Sequence, residues 1–381
     1  MVRMDARACP AWLQARGLHR WVLGIATAAT LVGAALLIGL LTAASRHHAE
    51  PPSPSPSPTP TPAPHRNASG NEPLPWGPAD CFVQPTWVPK EIEVLSDVVY
   101  RTAENPYTGQ NETLMLDVYL PPASDTRESR PVAVLQHGGA FTKGSKTTDG
   151  VPEWATILAM RGFVVLSINY RLIPMSHILT LRDPDPIVAM AQEDALTAVR
   201  YLHEKAAEWR ADVGRIVVGG DSAGAIAALW YGYMPQATVQ RPKDSKSGPV
   251  FGINAVMALS GAMKAEAFCA EIRDNLEPYG CLLSSSMDHV NELRSGDVPL
   301  LMIHGTRDHI IPYVNAEAVA RRANATGVRN LLITIPGAGH VPFAQAFSSS
   351  GEYLDQWLLF LTGALNLAAT PCPIRADEIQ L

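Results

Sequence analysis

Short, unbroken apolar runs alternate along the chain with longer stretches whose apolar residues recur every three or four positions. Runs of the first kind read as strands buried on both faces, and stretches of the second as helices covering them. Apolar runs at 91–100, 114–120, 132–136, 164–169, 215–219, 256–260, 300–304 and 331–335 predict eight strands. Helical spacing at 154–161, 187–209, 316–324 and 353–365, and directly after Ser222, predicts the helices between them. Pro186 stands where the longest helix would begin, and Asn105-Pro106 with Thr108-Gly109 supply turn chemistry between the first two strands. Such alternation predicts an α/β fold with a mostly parallel sheet covered on both faces. Two segments fit it poorly, 234–250 and 262–298, and the second reads equally well as a lid over one sheet edge or as a surface excursion.

The chemistry-bearing residues fall just past the ends of these strands. Gly220-Asp221-Ser222-Ala223-Gly224 follows the run ending at Gly219, so a serine sits where a buried strand bends into a helix. Upstream, the strand at 132–136 ends in His137-Gly138-Gly139-Ala140. Downstream, the strand at 300–304 runs into Gly305-Thr306-Arg307-Asp308, and that at 331–335 into Pro336-Gly337-Ala338-Gly339-His340. Open α/β sheets bind ligands at the carboxyl edge of the strands, which is where all four segments fall. A serine hydroxyl becomes a useful nucleophile when a neighbouring base takes its proton, and an acid behind the base holds the imidazole in the needed tautomer. Ser222 is therefore the candidate nucleophile, His340 the base and Asp308 the acid. Competing readings are a helix N-cap for Ser222, a surface turn for Asp308 with Asp288 or Asp297 as substitutes, and His289 or His309 in place of His340.

With these motifs the chain resembles an α/β-hydrolase, in particular the carboxylesterase and hormone-sensitive-lipase-like group, over residues 94–365. The resemblance implies hydrolysis of carboxylic esters through an acyl-serine intermediate, without a cofactor. It also implies an oxyanion hole made by the N–H groups of Gly139, Ala140 and Ala223. Ala140 departs from the H-G-G-G loop of that group; alanine donates equally well but tolerates fewer backbone angles. His137 is expected to support the loop structurally, and Phe141 either lines the pocket or belongs to the core. Asn169-Tyr170-Arg171-Leu172 is similar to a Y-R-L segment of the same group, and implies scaffolding beneath the site. Two other functions stay open: a serine peptidase of the prolyl-oligopeptidase type, and a non-catalytic cell-surface binding module on a hydrolase fold.

Outside the hydrolase-like region, residues 21–44 carry no charge and would span about 36 Å as a helix, enough to cross a bilayer. Arg3, Arg7, Arg16 and Arg20 precede them, which puts residues 1–20 in the cytoplasm. The length favours a retained signal anchor, with a cleaved signal peptide and secretion as the alternative. Residues 45–80, dominated by Pro, Ser and Thr, read as an extended linker, and 81–381 as an extracytoplasmic catalytic domain. Sequons begin at Asn67, Asn111 and Asn324. Cys81, Cys269, Cys281 and Cys372 form an even set on that side, and Cys269 with Cys281 and Cys81 with Cys372 is the favoured of three pairings. A net charge of −6, with no basic stripe, argues against nucleic acid as a partner. A small-molecule ester and the membrane are the expected partners, and no metal-ligand spacing stands out.

Overall fold

The structure, a computed structural model, describes residues 80–178, 185–234, 252–263, 289–348 and 352–367. The predicted anchor and most of the linker lie outside these residues, as do most of both inserts, Asn67, Cys269, Cys281 and Cys372. Cys81 is disulfide-bonded, and each of its candidate partners falls outside the described residues. Among the described residues, no helix is long and apolar enough to cross a membrane.

The eight strands are β1 (Glu93–Asn105), β2 (Gln110–Leu120), β3 (Arg130–Gln136), β4 (Val164–Ile168), β5 (Ala211–Asp221), β6 (Ala255–Leu259), β7 (Leu300–Gly305) and β8 (Asn330–Ile335). They form one sheet in the order β1-β2-β4-β3-β5-β6-β7-β8. β2 runs antiparallel to both β1 and β4, and every later pairing is parallel. Among the described residues four longer helices connect them, α1 (Val151–Ala159), α2 (Asp185–Trp209), α3 (Ala223–Tyr233) and α4 (Val314–Thr326), and a fifth, α5 (Glu352–Ala364), follows β8. Single helical turns absent from the sequence-based reading occur at Asp80–Val83 before β1, at Met175–Ile178 between β4 and α2, and at Phe343–Ala346 between β8 and α5.

The unalternating apolar strands have a direct physical explanation. Successive side chains point to opposite faces, so a run such as Val132-Ala133-Val134-Leu135 must bury both. Val132, Val134, Leu166, Val218, Ala258 and Met302 pack on one side with Ala195 and Leu202 of α2, Leu229 of α3 and Val319 of α4. Ala133, Leu135, Val165, Val217, Met257 and Ile303 pack on the other, with Trp154 of α1 and Trp357 of α5. Two dry layers are what hold the strand ends in fixed register, because a one-residue slip would exchange the faces.

Functionally, the important point is the position of β3. Its neighbours are β4 on one side and β5 on the other, so the chain leaves β4, crosses over, and resumes beside β3 in the opposite direction across the sheet. The carboxyl ends of β3 and β5 therefore diverge around a crevice, the place where this architecture seats ligands. The His137–Ala140 loop and Ser222 rise from those two ends.

Candidate active site

Ser222 joins β5 to α3 with φ 51° and ψ −115°, a conformation that costs a residue with a side chain of order 1–3 kcal/mol. Tight packing enforces the bend: a Cβ on Gly224 would run into the backbone of Gln136 and His137, and one on Gly220 into the backbone of Gly224. Only glycine permits this approach of α3 to β3. The Ser222 N–H is tied to the carbonyl of Leu259 at 2.9 Å. Although Ser222 occupies the N-cap position of α3, its hydroxyl makes no capping bond. Instead Ser222 Oγ lies 2.8 Å from His340 Nε2.

On the far side of the imidazole, His340 Nδ1 lies 2.8 Å from Asp308 Oδ2. Asp308 is buried, and its Oδ1 accepts the N–H groups of Ile310 at 3.0 Å and Ile311 at 2.8 Å. Burial alone would push this carboxyl up, but hydrogen bonds from His304 and His340 and from the Ile311 backbone hold it well below the usual carboxylate range. An ionised Asp308 requires the His340 proton on Nδ1, which leaves a lone pair on Nε2 facing the serine. Hydroxyl, imidazole and carboxylate, separated by 118 and 32 positions along the chain, meet in one hydrogen-bonded row. The competing residues lie elsewhere: His289 bonds Asp185 at 3.1 Å, Asp297 accepts the N–H of Arg294, His309 is exposed, and Asp288 is outside the described residues.

Facing the serine, the loop after β3 takes an unusual course. Gly139, Ala140 and Phe141 all have positive φ, at 116°, 53° and 60°. Ala140 thus pays for the angle that glycine would adopt freely. Among the described residues the N–H groups of Gly139, Ala140 and Ala223 make no hydrogen bond, so all three remain available to an incoming oxygen. Phe141 is buried among Tyr170, Ile173 and Ile311, which makes it a core residue.

Three ties hold the loop. His137 stacks on Tyr170, with ring centroids 4.4 Å apart, and donates from Nδ1 to the Gly138 carbonyl at 2.7 Å. Burial lowers its pKa to about 4, so the ring is neutral, in keeping with a supporting role. Tyr170 donates its hydroxyl to the His137 carbonyl at 2.7 Å. Beneath it, Arg171 bonds Asp194 and Glu193, which also hold Arg101, so the Y-R-L segment is anchored by a buried ionic network.

The third tie was not predicted. Asp221, beside the serine, accepts the Gly138 N–H at 3.0 Å and joins the bend to the loop directly. Burial pushes its pKa up from 3.8 to about 7, opposed by the Gly138 hydrogen bond and the nearby His340. Between those two values the folded chain holds a proton that the unfolded chain releases, so Asp221 makes stability fall as pH rises from about 4 to 7. Asp308 acts in a separate window with the opposite sign: its contribution is present above the ordinary carboxylate value and is lost on acidification below it. Asp221→Asn is expected to flatten the decline in urea midpoint between pH 5 and pH 8. A variant that declines as steeply as the parent would contradict this assignment.

The open, mostly parallel sheet with its sharp strand–serine–helix bend defines an α/β-hydrolase fold. The BD-FAE family model matches residues 116–322, more than half of the 381 residues, and the chain belongs to that family. Esterase LipC of Mycobacterium tuberculosis is 26% identical over 248 residues, which cover 61% of this chain and 58% of LipC. A probable isoprenylcysteine alpha-carbonyl methylesterase of Oryza sativa is 26% identical over 268 residues, 65% of this chain and 58% of the relative. The chain thus spans a little over half the length of these two relatives. Among solved structures, an esterase of Thermogutta terrifontis is similar in fold, with a TM-score of 0.54 and 22% identity over 76% of this chain and 98% of that one.

Proposed function

We propose that the chain is a serine hydrolase that cleaves carboxylic esters, with Ser222 as nucleophile, His340 as base and Asp308 as acid. The observation that carries this reading is the row of two 2.8 Å contacts from Ser222 through His340 to Asp308. Ser222 Oγ attacks the ester carbonyl carbon while His340 Nε2 takes the hydroxyl proton. The carbonyl oxygen becomes an oxyanion and receives the N–H groups of Gly139, Ala140 and Ala223, donors that need no rearrangement when charge develops. His340 then protonates the leaving alkoxide, the C–O bond breaks, and an acyl-serine remains. Water, deprotonated by the same imidazole, attacks that acyl group and releases the carboxylic acid with Ser222 restored. No cofactor enters any step.

A membrane-anchored form also belongs to this reading. Residues 21–44 would hold the enzyme to the bilayer with 1–20 in the cytoplasm, and the linker 45–80 would project the catalytic domain 81–381 on the opposite side. Exposed Asn111 and Asn324 would then meet glycosylation machinery, and Cys81 an oxidising compartment. Secretion after cleavage is the rival localisation. Rates on p-nitrophenyl acetate through long-chain esters, set beside aminoacyl amides, test the activity. Ester turnover without amide turnover is expected; preference for amides favours the peptidase, and loss of neither activity in Ser222→Ala overturns the assignment.

A further inference from the structure

His340 is suspended between two sets of backbone ties. On its N-terminal side, Gly337 N–H donates to Thr306 Oγ1 at 2.8 Å, and the Ala338 carbonyl accepts from Arg307 N–H at 2.8 Å. Both partners belong to the loop that ends in Asp308, so these ties register the base against the acid. On its C-terminal side, Val341 N–H donates to Ser260 Oγ at 3.0 Å. Ser260 immediately follows β6, is fully buried, and is itself fixed by its N–H to the Ile303 carbonyl of β7 at 2.9 Å. The residue before it, Leu259, supplies the carbonyl that holds the Ser222 N–H.

Two adjacent residues at the end of β6 therefore hold both halves of the reacting pair, Leu259 the nucleophile and Ser260 the segment carrying the base. Strain marks the same place: Ser260 and Val341 have φ of 54° and 51°, and Ser222, the other bonded residue, has 51°. Conformations this costly persist where the surroundings over-determine them. The hydroxyl is the only side-chain group in this clamp, since Leu259 acts through its backbone.

We propose that Ser260 is a positioning residue that sets the Ser222–His340 spacing through Val341, independently of the Asp308–His340 contact. The proposal rests on the triad reading above. Removing the hydroxyl leaves the Val341 N–H without its buried acceptor and lets the base side drift from the serine, while Thr306 and Arg307 continue to hold it beside Asp308.

Ser260→Ala, compared with Thr306→Val and Ser222→Ala, tests this on a p-nitrophenyl ester, with kcat expressed per site titrated by a fluorophosphonate, or per mole of folded protein for Ser222→Ala, which has no serine to titrate. Ser260→Ala is expected to lower kcat by about 10- to 100-fold, the cost of misplacing a catalytic group by up to an ångström, with KM changed less than twofold. The acidic limb of its kcat/KM–pH profile should keep the parent midpoint, because the acid–base contact survives. Thr306→Val should move that midpoint. Ser260→Gly relieves the positive φ but also lacks the hydroxyl, so it is expected to match Ser260→Ala, and it carries the test if alanine does not fold. Either variant turning over within threefold of the parent per titrated site would overturn the proposal, as would a midpoint shift equal to that of Thr306→Val. Full turnover by Ser222→Ala would instead sink the triad reading itself.

Discussion

Ser222→Ala is expected to lower kcat on p-nitrophenyl esters by about 10⁵-fold, with KM nearly unchanged. Without Oγ no acyl-enzyme can form, and His340 Nε2 loses the group it faces at 2.8 Å. The residual rate would come from substrate binding and from the N–H groups of Gly139, Ala140 and Ala223, which the substitution leaves in place. The variant should fold as the parent does, because the Ser222 side chain caps nothing in α3 and its backbone tie to Leu259 is retained. Stopped assays of purified protein, with circular dichroism as the check on folding, read this outcome. A loss smaller than about 100-fold would mean that another nucleophile carries the reaction.

Asp308→Asn is the second large effect, with kcat expected to fall by about 10⁴-fold. The amide keeps one oxygen, which can continue to accept from Ile310 and Ile311. Its NH₂ then replaces Oδ2 and points a donor at His340 Nδ1, where a donor was before. The imidazole answers by moving its proton to Nε2, and the lone pair that should receive the Ser222 proton is gone. Stability should change in a pH-dependent way. Asp308 is held below the usual carboxylate range, so the parent's advantage over the variant is present near neutrality and shrinks as pH falls through the ordinary carboxylate value toward its depressed one. Kinetic and urea-midpoint measurements at pH 7 and pH 4 report both effects, and an Asn variant within tenfold of the parent would remove Asp308 from the mechanism.

Much of this site is legible in the sequence for a simple reason. A parallel strand buried on both faces is an unbroken apolar run, so its end is visible, and function in this architecture sits at strand ends. Ser222, Asp308 and His340 were each found one to five residues past such an end, and the structure brings them together. Boundaries were less visible where strands leave the core. β2 begins at Gln110 rather than 114, because its first residues pair only with β1 in an exposed hairpin and need no apolar side chains. Asp221, Ser260 and His304 were missed as supporting residues. Each is a single buried polar residue at the end of an apolar strand; the partners of Asp221 and Ser260 lie 83 and 81 positions away, so no local spacing marks them, whereas His304 reaches Asp308 only four positions on. Asp221 is the exception that could have been found: a carboxylate beside a buried serine must either find a donor or keep its proton.

The most direct measurement of the central claim is active-site labelling. The full chain is treated with a fluorophosphonate, digested, and the modified peptide sequenced by mass spectrometry, alongside His340→Ala. The geometry predicts one adduct, on Ser222, formed to near-stoichiometry in the parent and at least 100-fold more slowly in His340→Ala. An adduct on any other residue, or equal labelling rates in the two proteins, would contradict it.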